Sequence, residues 1–295
     1  MSNVNPQATQ ELLQRVREVE IKTRRKTNQL FTGEYHTAFK GRGMSFAEVR
    51  EYQMGDDIRT IDWNVTARMD SPYVKVFEEE RELSMMLMVD VSGSSFFGTR
   101  WQLKSQLITE LCAVLAFSAL RNNDKVGVLF FGAQPKTYIP PRKGRSHGLR
   151  IIRELLATPP SPETTDLNAA LAYYNKLMKK RSILFVLSDF ICPDYLKAFR
   201  MAARRHDLIG LRMYDQAEEQ LPRVGWLPMM DAETGRIRWR NTQSTRVRSQ
   251  WQAHYRQYQE RFQETCRRSQ AGMIEIGTHE DYIQKLHAFF RLRER

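Results

Sequence analysis

The sequence predicts an α/β protein, a doubly wound and mostly parallel sheet that carries a small N-terminal module and a β-hairpin insertion. Three observations predict it. Short runs that are almost continuously apolar recur after residue 80, as in strands buried on both faces of a parallel sheet. Helical patterns alternate with them, the order that βαβ crossovers produce. The 295 residues, 41% hydrophobic and 27% charged, are enough for one large core or two smaller ones. The expected division is a helix followed by a loop-rich or β module over residues 1–79, then the α/β domain over 80–295.

Residues 11–26 place Leu12, Leu13, Val16 and Val19 among charged positions, which predicts an amphipathic helix with a basic, solvated outer face. From residue 31 to 77 the pattern is irregular, rich in Gly, Asp and Arg, with Pro72 as punctuation. Strands are predicted at 83–91 (LSMMLMVDV), 126–131 (VGVLFF), 183–187 (ILFVL), 208–213 (LIGLRM) and 273–276 (MIEI). Helices are predicted between them at 101–122, 147–157, 166–180 and 194–206. Within 221–242, the pieces VGWLPMM and RIRWRN flank the turn-forming DAETG, which predicts a hairpin excursion. A long basic helix over 244–269 then repeats Trp251, Tyr255, Tyr258 and Phe262 at i, i+4, i+7 and i+11. That stripe reads as core-facing, with a partner-binding face as the alternative.

Composition narrows the function classes. Forty-six Lys and Arg against 34 Asp and Glu leave a formal charge of +12, which favours acidic partners or surfaces. Basic stretches at 22–26, 142–145 and 200–205 raise nucleic-acid binding, but no helix-turn-helix, zinc-finger or RNP signature accompanies them. Charge without a motif gives only salt-sensitive, sequence-independent affinity. An acidic membrane surface touched peripherally, or an acidic face of a protein partner, accounts for the charge equally well. No apolar run approaches the ~20 residues that span a bilayer, and the polar first ten residues carry no signal-peptide pattern. The expectation is therefore a cytoplasmic chain without a transmembrane helix. Cys112, Cys192 and Cys266 lie far apart without C-x-x-C spacing, so neither a disulfide framework nor a zinc site is indicated. The six histidines are dispersed outside any motif.

The chemistry-bearing residues gather where the predicted strands end. Asp90, Ser92 and Ser94 follow the first buried strand at alternate positions, Thr165 precedes a helix, and Asp189 ends a third apolar strand. In an open α/β sheet, ligands bind beyond the carboxyl ends of the strands. A carboxylate with hydroxyls suits a hard cation such as Mg²⁺ and offers nothing to a thiophilic metal. Taken alone, D-x-S-x-S is most often loop or helix-cap chemistry.

As an ordered set, Asp90, Ser92, Ser94, Thr165 and Asp189 resemble the metal-ion-dependent adhesion site of von Willebrand factor A domains. The resemblance implies that Ser92, Ser94 and usually Thr165 ligate Mg²⁺ or Mn²⁺, with Asp90 and Asp189 acting directly or through water. It also implies an open coordination position for an Asp or Glu of a partner protein. One departure is visible: Glu163-Thr164 stands where many A domains have Gly-Gly. Upstream, residues 41–63 (GRGMSFAEVREYQMGDDIRTIDW), then 66–68 (TAR), Asp215-x-x-Glu218 and 231–235 (DAETG), resemble the bacterial family called domain of unknown function fifty-eight. That resemblance implies a von Willebrand A-like domain and an adaptor or chaperone role beside a MoxR-type AAA+ ATPase. Read physically, Arg50, Asp56, Asp57, Arg59, Asp62 and Arg68 predict an ion-pair network holding the N-terminal module to the A domain. An enzyme is not expected. The alternatives are Mg²⁺-dependent phosphoryl transfer with Asp90 as nucleophile and non-specific nucleic-acid binding. A haloacid-dehalogenase-type phosphatase would want a carboxylate where Ser92 stands. No nucleophile elbow, H-E-x-x-H or P-loop is present.

Overall fold

The computed structural model describes residues 6–30, 44–69, 71–79, 83–99, 102–159, 164–230 and 236–293. The chain runs α1 (Pro6–Leu30), β1 (Met44–Glu51), α2 (Trp63–Thr66), β2 (Tyr73–Glu79), β3 (Ser84–Asp90), α3 (Lys104–Arg121), β4 (Lys125–Phe131) and β5 (Pro135–Arg142). It continues through α4 (Arg145–Ala157), α5 (Leu167–Leu177), β6 (Ile183–Ser188), α6 (Leu196–Arg205), β7 (Asp207–Tyr214) and α7 (Gln216–Glu219). The last elements are β8 (Trp226–Met230), β9 (Ile237–Asn241), α8 (Thr245–Ser269), β10 (Gly272–Gly277) and α9 (Tyr282–Arg293). Each predicted strand and helix is found, with ends shifted by a few residues.

Six strands form one sheet in the order β10-β7-β6-β3-β4-β5, parallel throughout except for β5, which is antiparallel to β4. This is the doubly wound, mostly parallel sheet that the apolar runs predict. Met86 and Met88 of β3 face a core shared with Leu171 and Tyr174 of α5, Phe199 of α6 and Phe262 of α8. The alternating Met85, Leu87 and Val89, also fully buried, point to the opposite face. Gly210 in β7 lets α8 approach, since a Cβ there would lie 2.8 Å from the Phe262 ring. Of the predicted stripe on α8, Tyr255 and Phe262 are buried and Trp251 and Tyr258 half-buried.

Compactness divides the chain into residues 39–83 and a larger unit made of 1–38 with 84–295. The helix α1 belongs to the larger unit rather than with the loop-rich segment that follows it. Its Lys22 pairs with Glu110 of α3, its Glu20 with Arg145 of α4, and its Lys26 donates to the Tyr282 hydroxyl of α9 at 3.0 Å. Glu110 also accepts from Tyr282 at 2.9 Å, so one carboxylate joins three helices. β5 and α9 are among the elements that escape a search for apolar runs. β5 contains Pro135, Pro140 and Pro141, tolerated because it is an edge strand with a ladder on one side only. α9 closes the chain with Ile283, Leu286 and Phe290 buried.

In the smaller unit β1 and β2 pair antiparallel, with an irregularity between Phe46 and Glu48. The predicted ion-pair network does not form there as a connected set. Arg50 makes a bidentate pair with Asp56 at 2.8 and 2.7 Å, and Asp62 pairs with Lys75 at 3.4 Å. Asp57 and Asp62 spend their side chains on backbone N–H groups, capping the 3₁₀ turn Ile58–Thr60 and α2 respectively. Arg59 and Arg68 pair with none of the described acidic side chains. The 41–43 stretch of the family-like motif lies outside the described residues.

The hairpin is present as β8 and β9, in the register Trp226↔Asn241 to Met230↔Ile237, and is tied at its base by the Thr242 N–H donating to the Gly225 carbonyl at 2.7 Å. Its 231–235 turn lies outside the described residues. Trp226, Met230, Ile237 and Trp239 are exposed. All three cysteines are free and buried. Among the described residues no helix is long and apolar enough to cross a membrane.

Candidate functional site

Sheet order decides where a site forms. From β3 the chain steps to β4 and β5 on one side, then returns to place β6 on the other side of β3. The carboxyl ends of β3 and β6 therefore flank a topological switch point, where connections leave in opposite directions and a crevice opens. Asp90 ends β3, and Ser188 ends β6.

Asp90 is the hub and is buried. Its Oδ1 accepts the Ser92 N–H at 2.9 Å, and its Oδ2 accepts the Ser188 hydroxyl at 2.6 Å. Ser92 caps a 3₁₀ turn, Gly93–Phe96, which brings the Ser94 hydroxyl to 3.0 Å from the Ser92 hydroxyl. Thr165 reaches in from the segment before α5, its hydroxyl 3.4 Å from both Asp90 oxygens. Asp166, beside it, turns away: its N–H donates to the Gly132 carbonyl at 2.9 Å and its carboxylate caps α5 through the Ala169 N–H. The structure thus brings Asp90, Ser92, Ser94 and Thr165 together. Glu163 lies outside the described residues.

Asp189 adjoins this group through the Ser94 hydroxyl, but its carboxylate is engaged elsewhere. Its Oδ1 accepts the Ile191 N–H at 3.1 Å, and its Oδ2 takes the Lys104 ammonium at 3.0 Å. The turn carrying it is held by Phe190, whose N–H donates to the Ser188 hydroxyl at 3.0 Å. Phe190 occupies the left-handed region (φ 56°), a strained conformation for an aromatic residue. Burial of its ring against Tyr195, Phe199 and Phe262 holds it there.

Lys104 is 1% exposed and stands in the first turn of α3, the wrong end of a helix for a cation. Two carboxylates offset that penalty, Asp189 and Glu218, the latter 2.6 Å from the ammonium. Glu218 is aimed by a capping box, in which its other oxygen accepts the Asp215 N–H at 3.1 Å while Asp215 caps α7. Asp215 is fixed in turn by the Thr99 and Thr278 hydroxyls, both at 2.8 Å. The Asp215-x-x-Glu218 motif is therefore the support for a buried lysine.

Burial and the nearby Asp189 push the Asp90 carboxyl up to about 6. Burial acts in the same direction on Asp189, but Lys104, the Ile191 N–H and Ser94 outweigh it and hold that carboxyl below its ordinary value. Glu218 is raised by burial in spite of the pull of Lys104. Among the described residues no basic side chain pairs with Asp90, so one buried carboxylate is left to be neutralised by a proton or a cation. The donors around it are all oxygens, the set that Mg²⁺ or Mn²⁺ prefers. Among the described residues no three His, Cys, Asp or Glu side chains converge, which sets this hydroxyl-rich arrangement apart from a carboxylate cage. The residues fit a hard cation centred on Asp90, with Asp189 already partnered. A cavity of about 390 Å³ opens beside Asp90, lined among others by Glu18 and Lys22 of α1, Ser95, Gln106 and Glu110.

Ser188 and Lys104 are the functional side chains that sequence reasoning missed. Ser188 stood in view, next to Asp189. A lysine 85 residues from the aspartate it neutralises leaves no local signature.

The chain is 31% identical over 226 residues to the uncharacterized protein Rv1480 of Mycobacterium tuberculosis, covering 76% of this chain and 71% of that one. Among solved structures it is similar to the conserved hypothetical protein BatB of Bacteroides thetaiotaomicron, at 15% identity and a TM-score of 0.48, over 72% of this chain and 98% of that one. It is also similar to the SpRpn10 VWA domain, at 10% identity and a TM-score of 0.41, over 70% of this chain and 93% of that one. The family model described as "Protein of unknown function DUF58" matches residues 48–261, and the chain belongs to that family.

Proposed function

We propose that this chain is a divalent-cation-dependent protein–protein interaction module of the von Willebrand A type. Asp90, Ser92, Ser94 and Thr165, with Asp189 in the outer shell, would hold Mg²⁺ or Mn²⁺, and an Asp or Glu of a partner protein would complete the coordination. The observation that carries this reading is the arrangement about Asp90: a buried carboxylate without a basic partner among the described residues, ringed by hydroxyls at the switch point of the sheet. Hydroxyl ligands leave the charge of the cation largely unneutralised, so it can still attract a carboxylate from outside. On the family resemblance, the partner is a MoxR-type AAA+ ATPase, and the role that of an adaptor or chaperone component rather than an enzyme.

The test is calorimetric titration of the purified chain with Mg²⁺ and with Mn²⁺, beside Asp90→Ala, followed by capture of the candidate ATPase with and without EDTA. Saturable cation binding that is lost in the variant, with EDTA-sensitive capture, is the expected result. Capture that persists in EDTA and in Asp90→Ala would overturn the reading.

A further inference from the structure

Lys104 is the charged group of the site that the proposed cation chemistry leaves unexplained. Its ammonium, 1% exposed, bridges Asp189 Oδ2 at 3.0 Å and Glu218 Oε1 at 2.6 Å. A buried lysine side chain is costly unless paired, and here the pairing takes up one of the two carboxylates at the switch point. We propose that Lys104 sets the cation affinity of the site: by occupying Asp189 it leaves the metal to Asp90 and the hydroxyls, so that the cation is held weakly until a partner carboxylate joins it. This inference rests on the metal reading of the Asp90 cluster.

The network has a direction. Asp215 is locked by Thr99 and Thr278, Asp215 aims Glu218, and Glu218 draws the ammonium toward α7. Glu218 and Asp189 thus share one cation, and whatever loosens Glu218 gives Asp189 a larger share of it. Removing the ammonium frees Asp189 for the metal, while weakening Glu218 binds Asp189 more completely. Opposite changes in affinity follow from two substitutions on one ion-pair chain. Charge loss alone would shift affinity in the same two directions, so the response of Asp189 itself decides between the two accounts.

The probe is Mn²⁺ alone, titrated calorimetrically into the full chain, with circular dichroism melting to confirm folding. Lys104→Met is expected to tighten Mn²⁺ binding at least tenfold, and Glu218→Gln to weaken it several-fold. The double variant Lys104→Met/Glu218→Gln removes the carboxylate that the first change strands, and is expected to stay tight should Lys104→Met alone fail to fold. Asp189→Asn is expected to cost far more Mn²⁺ affinity in either Lys104 variant than in wild type, where Lys104 already holds that carboxylate; equal costs in the two backgrounds would mean the mere loss of a positive charge. Unchanged or weaker binding in folded Lys104 variants, with wild type binding and Asp90→Ala not, would overturn the role of Lys104 and leave the metal reading standing. If neither wild type nor the Lys104 variants bind Mn²⁺, both fall.

Discussion

Ser188 and Asp90, 98 residues apart, are joined by a 2.6 Å hydrogen bond from the serine hydroxyl to Asp90 Oδ2, and the same hydroxyl accepts the Phe190 N–H. One side chain therefore fixes both the hub carboxylate and the turn that presents Asp189. Ser188→Ala should lower stability by about 1.5–3 kcal/mol at neutral pH, the range for a hydrogen bond to a charged group. Urea unfolding in EDTA measures it, and an unchanged midpoint would count against the bond.

Two buried groups titrate in opposite senses over one pH window. Asp90 is raised to about 6, so between roughly pH 4 and 6 the folded chain binds more protons than the unfolded one, and stability falls as pH rises. His206, lowered to about 4 by burial and by Arg205 and Arg181, is neutral in the folded chain where the unfolded one is charged. Its contribution is present above about pH 6.5 and is lost as pH falls toward 4. Each effect amounts to about 3 kcal/mol at most. Relative to wild type in EDTA, Asp90→Asn should make stability rise more steeply with pH between about 4 and 6.5, and His206→Gln should tilt it the opposite way. Parallel profiles for the two variants would contradict the assignment.

Close approach of α8 to the sheet depends on the missing side chain at Gly210. Gly210→Ala drives a methyl to 2.8 Å from the Phe262 ring and should cost about 1–3 kcal/mol by overpacking. Phe262→Leu in the same chain should recover part of that loss, which a double-mutant cycle of chemical denaturation would show. Strict additivity would mean that the two do not touch.

The hold on α1 runs through Glu110. Glu110→Ala takes the acceptor from Tyr282 and the counter-charge from Lys22 and Lys26, at a cost of about 1.5–3 kcal/mol. Limited trypsin digestion should then cut within α1 well before the rest of the larger unit. Protection equal to wild type would show that packing at Val16 and Thr23, both buried, suffices without it.

What could be read in the sequence follows from range. β3 and β6 announce themselves because each is apolar through nearly its whole length, and Asp90, Ser92 and Ser94 because they are adjacent. Thr165 and Asp189 were legible only as an ordered set. β5 was masked by its prolines, which mark an edge strand but spoil an apolar run. Lys104 opens a helix 114 residues before Glu218, and nothing local distinguishes it from a solvated lysine. The Arg and Asp residues of 50–68 suggested reciprocal pairing, but Asp57 caps a backbone turn and Asp62 divides between a backbone cap and Lys75, uses that composition cannot reveal.

The central position of β3 also has a consequence for biosynthesis. β4 follows it closely and covers one edge, but β6 begins at Ile183, long after β4 ends at Phe131. At ribosomal speeds of about 5–20 residues per second, that gap lasts on the order of 3–10 s. Throughout it a methionine-rich strand stands with one edge unpaired, the condition under which nascent chains aggregate or recruit chaperones. Conditions that slow translation between residues 132 and 182 should therefore depress the soluble yield of this protein more than slowing elsewhere along the chain.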